Sequence, residues 1–308
     1  MSGLVEAVLS TAFVTQAVRV AVPYACAATG GAITERSGVI DLAIEAKLLF
    51  GAFGAAVVAH ATGSVWAGLV GGMTAGVAVA MVQLVLGALI AADQVVVGVA
   101  LNLGAYGLTR YLLQVLYGSS ANSPQTVGVG SAVWTSPVFW LAAAAVTAVA
   151  WALTRTAPGL RIRAAGDRPA ALAAAGVSVA RTRAVALAVG GALAGLGGAQ
   201  LALANHGFSA EMSNGRGYLA LAIVILGGWR PAVVAITCLG LGLVEAFAYQ
   251  VQLELQTRAA AGHGPSDLEQ LTGMLAHVLP YLLTLAFLAL LPQRARTPRA
   301  LGRADDAL

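Results

Sequence analysis

Residues 155–183 read RTAPGLRIRAAGDRPAALAAAGVSVARTR, the longest polar interval in an otherwise apolar chain. Arg155, Arg161, Arg163, Arg168, Arg181 and Arg183 stand against a single acid, Asp167, so the positive-inside rule assigns the interval to the cytoplasm. Asp167 reads as an N-cap, Pro169 falls in the first helical turn and Gly176 reads as a C-terminal stop, which predicts a short helix over residues 168–175. At 1.5 Å per residue that helix is about 12 Å long, too short to cross a bilayer, and its alanines leave a smooth face that another protein can approach. The segment reads as a docking helix, with an ordinary connecting loop as the alternative.

The composition around this interval is that of a membrane protein. Of 308 residues, 59% are hydrophobic and only 10% charged, with a mean hydropathy of +0.83, where soluble domains carry about a quarter charged residues. Aromatics are few and glycines number 37, which favours helices packed through small residues over a barrel with aromatic girdles. The fold class is therefore all-α: a single polytopic domain over residues 1–308 with about eight to ten membrane helices, and a cytoplasmic tail at 292–308. The net charge of +4 is nearly all arginine, Lys47 being the only lysine, and its clustering reports topology rather than nucleic-acid binding. Cys26 and Cys238 sit in apolar runs without metal or disulfide spacing, and the four histidines share no ligand spacing. The N-terminus reads as a first membrane helix rather than a removed signal peptide.

Working along the chain, residues 4–29 form a span with Pro23 inside it, followed by a glycine-rich break. Residues 33–60 then carry Glu35, Arg36, Asp41, Glu45 and Lys47 in or beside a membrane-length stretch. Each such charge costs about 2.5–3.5 kcal/mol at a bilayer centre, so partners, a wet cavity or an interfacial place are needed. Taken as one helix, this stretch puts Asp41 and Glu45 on one face and Lys47 off it. Two readings stand: pathway or gate residues, or an ion-pair network that fixes a broken helix.

Residues 65–91 and 95–117 are further spans, the first with Gly68, Gly72 and Gly76 at four-residue spacing and the second with Asn102. Asp93 marks the turn between them. Asn102 reads as an interhelical hydrogen bond or a substrate contact. A Ser, Gly and Pro-rich outer loop and a span flanked by Trp134 and Trp140 lead to Arg155. Beyond the arginine interval come a span over 184–204 with Gly191, Gly195 and Gly198, a polar outer turn over 205–216 with Asn214 and Arg216, and a short apolar helix over 217–228. That helix ends in a Gly-Gly-Trp-Arg-Pro break, as discontinuous or re-entrant helices do. Residues 231–251 carry the intramembrane carboxylate Glu245, 252–272 form an external interval and 273–291 a last span. The topology closes only if the short helix crosses. RSGVIDLAIEAKLLFGAF and RGYLALAIVILGGW, run in opposite directions, form a candidate inverted repeat of broken helices.

Thr34 to Phe53, DQVVVGVALNLGAYGLTRYL from Asp93, AAGDRPAALAAAGVSVARTR from Ala164 and the stretch Gly191 to Pro231 resemble the permease subunits of bacterial ABC importers. The similarity is to the nucleoside and simple-sugar branch, related to the branched-chain amino-acid permeases. The resemblance implies a multi-pass protein of the bacterial inner membrane. It also implies an ATPase-coupling element at Gly166, Asp167, Arg168, Pro169, Ala174 and Gly176, and no catalytic centre or cofactor on this chain. ATP would be used by a separate ABC ATPase, whose closure moves the coupling helix. The further partners implied are a second permease subunit, identical or sister, an extracytoplasmic binding protein and membrane lipid. No phosphate-binding GxxxxGK[ST] loop is present, in keeping with a separate ATPase. The nucleoside branch reads like SGVVNIGLEGMML, whereas here Asp41, Ala46 and Lys47 replace its Asn, Gly and Met, leaving nucleoside and sugar both open as substrate. The competing class is an ion-coupled secondary transporter working through Asp41, Glu45 and Glu245.

Overall fold

The computed structural model describes residues 11–89, 92–129, 134, 136–260, 278, 282 and 297–302. Ten helices are described in chain order: α1 (Thr11–Arg36), α2 (Ile44–Thr62), α3 (Val65–Leu89), α4 (Gln94–Tyr117), α5 (Pro137–Arg155), α6 (Ala157–Asp167), α7 (Pro169–Ala174), α8 (Val179–Ala204), α9 (Arg216–Leu226) and α10 (Pro231–Ala260). Among the described residues there is no strand beyond one isolated bridge, Asn122 to Ser209. The all-α membrane fold read from composition holds.

The centre of the bundle is α2, α3 and α8, locked together through glycine. A Cβ on Gly76 would overlap the Gly191 carbonyl, one on Gly195 the Gly72 carbonyl, and one on Gly198 the Leu48 carbonyl. The stripes at Gly72 and Gly76 and at Gly191 and Gly195 thus meet each other, while Gly68 packs against Ala59 and Ala55 of α2. Glycine also overturns the expected break after Thr29, since Gly30 and Gly31 lie inside α1. Gly30 lets α1 cross Gly190 of α8 at backbone contact, so packing outweighs the low helix propensity of the pair.

Among the described residues six helices are long and apolar enough to cross a membrane: α2, α3, α4, α5, α8 and α10. At 26 residues α1 has the length as well. α9 has 11 residues, about 16 Å against a hydrocarbon core of roughly 30 Å. Its pass is completed by the irregular stretch before it. Ala210 N–H donates to the Ala121 carbonyl at the end opposite the arginine interval, whereas Trp229, just after α9, meets Arg36 at the arginine end. Residues 205–229 therefore traverse half as coil and half as helix, and with α1 this gives eight passes among the described residues. α10 does not end near Val251 but runs on through Ala260. The span expected over 273–291, and most of 252–272 and of the tail, lie outside the described residues.

Candidate functional site

The site grows from the interruption between α1 and α2. Ser37 turns back on Thr34 with its amide and hydroxyl, Gly38 adopts the left-handed φ of +96°, and the chain re-enters a helix only at Ile44. The stretch is thus broken between the end of α1 and the start of α2, which corrects the single-helix geometry expected for its charges. Asp41 lies in the turn, so it shares no helical face with Glu45, and its partner is Lys47, one turn into α2. The Lys47 ammonium and Asp41 carboxylate meet at 2.5 Å with almost no exposure. The Lys47 ammonium thus neutralises Asp41 through Oδ1, while Asp41 Oδ2 is buried without a hydrogen-bond partner, so the pair compensates charge but leaves one acceptor open.

The two remaining carboxylates grip α9 at its ends. Glu45 accepts hydrogen bonds from the Tyr106 hydroxyl at 2.6 Å, the Ser213 hydroxyl at 2.6 Å, the Gly215 N–H at 2.9 Å and the Gly217 N–H at 2.6 Å. The two glycine N–H groups are donors that a helix N-terminus otherwise leaves open, and a negative charge there also meets the positive end of the helix dipole. Gly217 must be glycine, because a Cβ would strike the Glu45 backbone. At the other end the Trp229 indole donates to Glu35 at 2.6 Å, and Arg36 Nε donates to the Trp229 carbonyl at 3.0 Å. Trp229 is buried in a left-handed conformation, φ +56°, a strained backbone held by those two bonds.

Asn102 completes the frame. Its carbonyl accepts from Ala46 N–H at 2.9 Å, and its amide donates to the Leu42 carbonyl at 2.8 Å and the Tyr218 hydroxyl at 3.2 Å. It is thus an interhelical bond that caps the start of α2 and reaches α9. Arg216 and Glu245 stand 3.9 Å apart, 25% and 21% exposed, with the Tyr24 hydroxyl also donating to Glu245. Asn214 is exposed on the coil above α9. The candidate pathway residues therefore divide: Glu35, Arg36, Asp41, Glu45, Lys47 and Asn102 build the frame, while Asn214, Arg216 and Glu245 face partly outward.

At the arginine end the interval folds as a helix pair rather than a loop with one turn. Thr156 caps α6 through the Gly159 N–H, with Pro158 in the first turn. α6 then runs to Asp167, so Asp167 is its last residue and not the N-cap of α7. That position falls to Arg168, without a side-chain bond. Pro169 and Ala174 are the first and last residues of α7, and Gly176, φ +77°, closes it as a Schellman motif. Val177 N–H donates to Leu172 and Gly176 N–H to Ala173. Gly166 is buried with its α-carbon on the Arg36–Gly38 backbone, where a Cβ would overlap the Arg36 carbonyl. Arg183 donates from Nε to the Ser37 carbonyl at 3.3 Å. The tail returns here too: Ala300 N–H donates to Gly166 and Gly302 N–H to Gly38.

Sequence reasoning missed Tyr106, Ser213, Tyr218, Trp229, Arg183 and the tail segment. One signal was available, since an indole N–H in an apolar stretch needs an acceptor, and Trp229 follows two glycines that permit a turn.

A helical bundle that crosses a membrane repeatedly and holds a short apolar helix by buried carboxylates at both of its ends has the build of a membrane transport subunit. Residues 13–288 match the family described as branched-chain amino acid transport system / permease component, and the chain belongs to that family. Among its relatives is the guanosine ABC transporter permease protein NupQ of Bacillus subtilis, 28% identical over 92% of both chains. The nucleoside ABC transporter permease protein NupC of Lactococcus lactis is 30% identical over 89% of this chain and 90% of its own. TsgC13 of Haloferax volcanii, provisionally described as a glucose ABC transporter permease protein, is 33% identical over 85% of this chain and 86% of its own. No solved structure matches the chain. The protein is an ABC transporter permease, multi-pass in the inner membrane, as the resemblance of its motifs led one to expect.

Proposed function

We propose that the chain is one transmembrane half of an ATP-driven importer for a nucleoside or simple sugar, driven through the α6–α7 pair by a separate ATPase. The observation that carries this reading is the seating of Gly166 on the Arg36–Gly38 backbone. An ATPase pushing on α7 would move the turn between α1 and α2, whose flanking residues Glu35, Arg36 and Glu45 hold both ends of α9. Free energy would enter as rigid-body displacement, so this chain needs neither a catalytic residue nor a bound cofactor, and ATP is hydrolysed on the partner. The partly exposed Arg216, Glu245 and Tyr218, with Asn214, offer an uncharged polyhydroxy substrate donors and acceptors beside the clamped helix. A second permease subunit would close that path, and a binding protein would deliver substrate at the far end.

Ion coupling through Asp41 and Glu45 is disfavoured by their environment. Both are buried, one tied to Lys47 and the other to four donors. The test is purification of the tagged chain from its native membranes with mass spectrometry of its companions, repeated on the Asp167→Arg, Arg168→Glu double variant. Recovery of an ABC ATPase that the variant loses is the expected result. Absence of an ATPase from the gently extracted wild type would overturn the reading.

A further inference from the structure

A cavity of about 380 Å³ opens between α6 and the start of α8, bordered by the Gly176–Val177 turn that closes α7 but by no residue of α7 itself. Two helical stripes form its walls: Arg161 with Ile162 on α6, and Arg181 with Thr182 and Val185 on α8. No carboxylate lines it, and among the described residues neither arginine belongs to an ion pair. Its chemistry is graded. Arg161 and Arg181 line it with Ser178, whose hydroxyl oxygen accepts from the Arg181 N–H, and the apolar part of the lining is the buried Ile162 of α6 and the half-exposed Val185 on the bilayer-crossing α8.

From this we propose that the cavity is an anionic-phospholipid site, the phosphate held by Arg161 and Arg181 and an acyl chain lying along Ile162 and Val185. The gradient decides the occupant. A free phosphate has no use for the apolar wall, and an ATPase approaching α7 would come from the cytoplasm, whereas Val185, Leu160 and Trp151 are more than half exposed on helices at the membrane boundary. Planar guanidinium groups pair well with phosphate oxygens, and basic pockets on the cytoplasmic side of helix bundles are where anionic headgroups collect. Occupancy would fix α6 against α8 and so set the resting position of Gly166. The inference goes beyond the transport reading and needs only that the chain spans a membrane, so its test involves neither uptake nor an ATPase.

The test is binding of phosphatidylglycerol to the purified full chain, read by native mass spectrometry and by thermal stabilisation. Phosphatidylcholine and millimolar inorganic phosphate serve as separate arms. Wild type is expected to retain one or more phosphatidylglycerol molecules preferentially, and Arg161→Gln with Arg181→Gln to bind about thirtyfold more weakly. Val185→Trp, which fills the apolar wall and keeps both charges, gives the same reading if the double variant does not fold. Equal retention by wild type and both variants overturns the proposal. So does inorganic phosphate that binds as well as the lipid and is unaffected by Val185→Trp, since that identifies a soluble anion as the occupant.

Discussion

The glycine seam between α3 and α8 and the interrupted segment between α1 and α2 are made of opposite materials. In the seam, carbonyls of Gly72, Gly76 and Gly191 lie against facing glycine backbone, with only the Ala80 and Ala199 methyls beside them. Contacts of that kind have one geometry, since any sliding brings backbone into backbone. Around the interruption the contacts are Glu45 with four donors, Glu35 with Trp229, Lys47 with Asp41 and Asn102 with three partners. Polar contacts can exchange one partner for another at little net cost. The seam therefore holds α2, α3 and α8 as one body, whereas α9 is held at its ends mainly by polar contacts, its one backbone-to-backbone seat being Gly217 on Glu45.

The largest effect expected from breaking either region is on the charged side. Asp41→Ala leaves the Lys47 ammonium buried alone and should destabilise by about 3–5 kcal/mol, seen as a collapse of the detergent melting temperature. Asp41→Leu with Lys47→Met should recover most of that loss while transport stays impaired; a double variant as unstable as the single would mean that the pair is not the relevant contact. In the seam, Gly76→Val should cost about 3 kcal/mol by overpacking, and no polar change nearby should restore it. Glu45→Gln turns an amide toward N–H donors and should cost about 2 kcal/mol, with a loss of substrate uptake larger than the loss of folded protein in the membrane. The smallest effect belongs to Gly176→Ala. Its Cβ would meet open space, so only the left-handed backbone resists, at about 1 kcal/mol, and the variant should fold with weakened ATPase stimulation by substrate.

The same contrast governs what could be read from sequence. Glycine at four-residue spacing announces a close crossing because the periodicity is local, and Asp93 announces a turn, where the structure adds that it caps α4 through the adjacent Val95 and Val96 N–H groups. Gly176 was legible for the same reason. The pairing of Lys47 with Asp41 was not, since spacing arguments presuppose an unbroken helix, and the turn at Gly38 removes that premise. The cap of α7 was misplaced because α6, started by Thr156, runs through to Asp167. Contacts such as Glu35 with Trp229 join residues far apart in sequence, and only the topology brings them together. The charged residues were visible as expensive, and what they hold was not.

The tail segment has a consequence in time. Residues 298–302 are translated after every helix described, yet their N–H groups are what the Gly166 and Gly38 carbonyls bond to. Until that segment leaves the ribosome, both acceptors stay open at the membrane surface. The arginine face is thus finished in biogenesis only after all ten described helices, and a chain cut short before Pro298 would present that face incomplete.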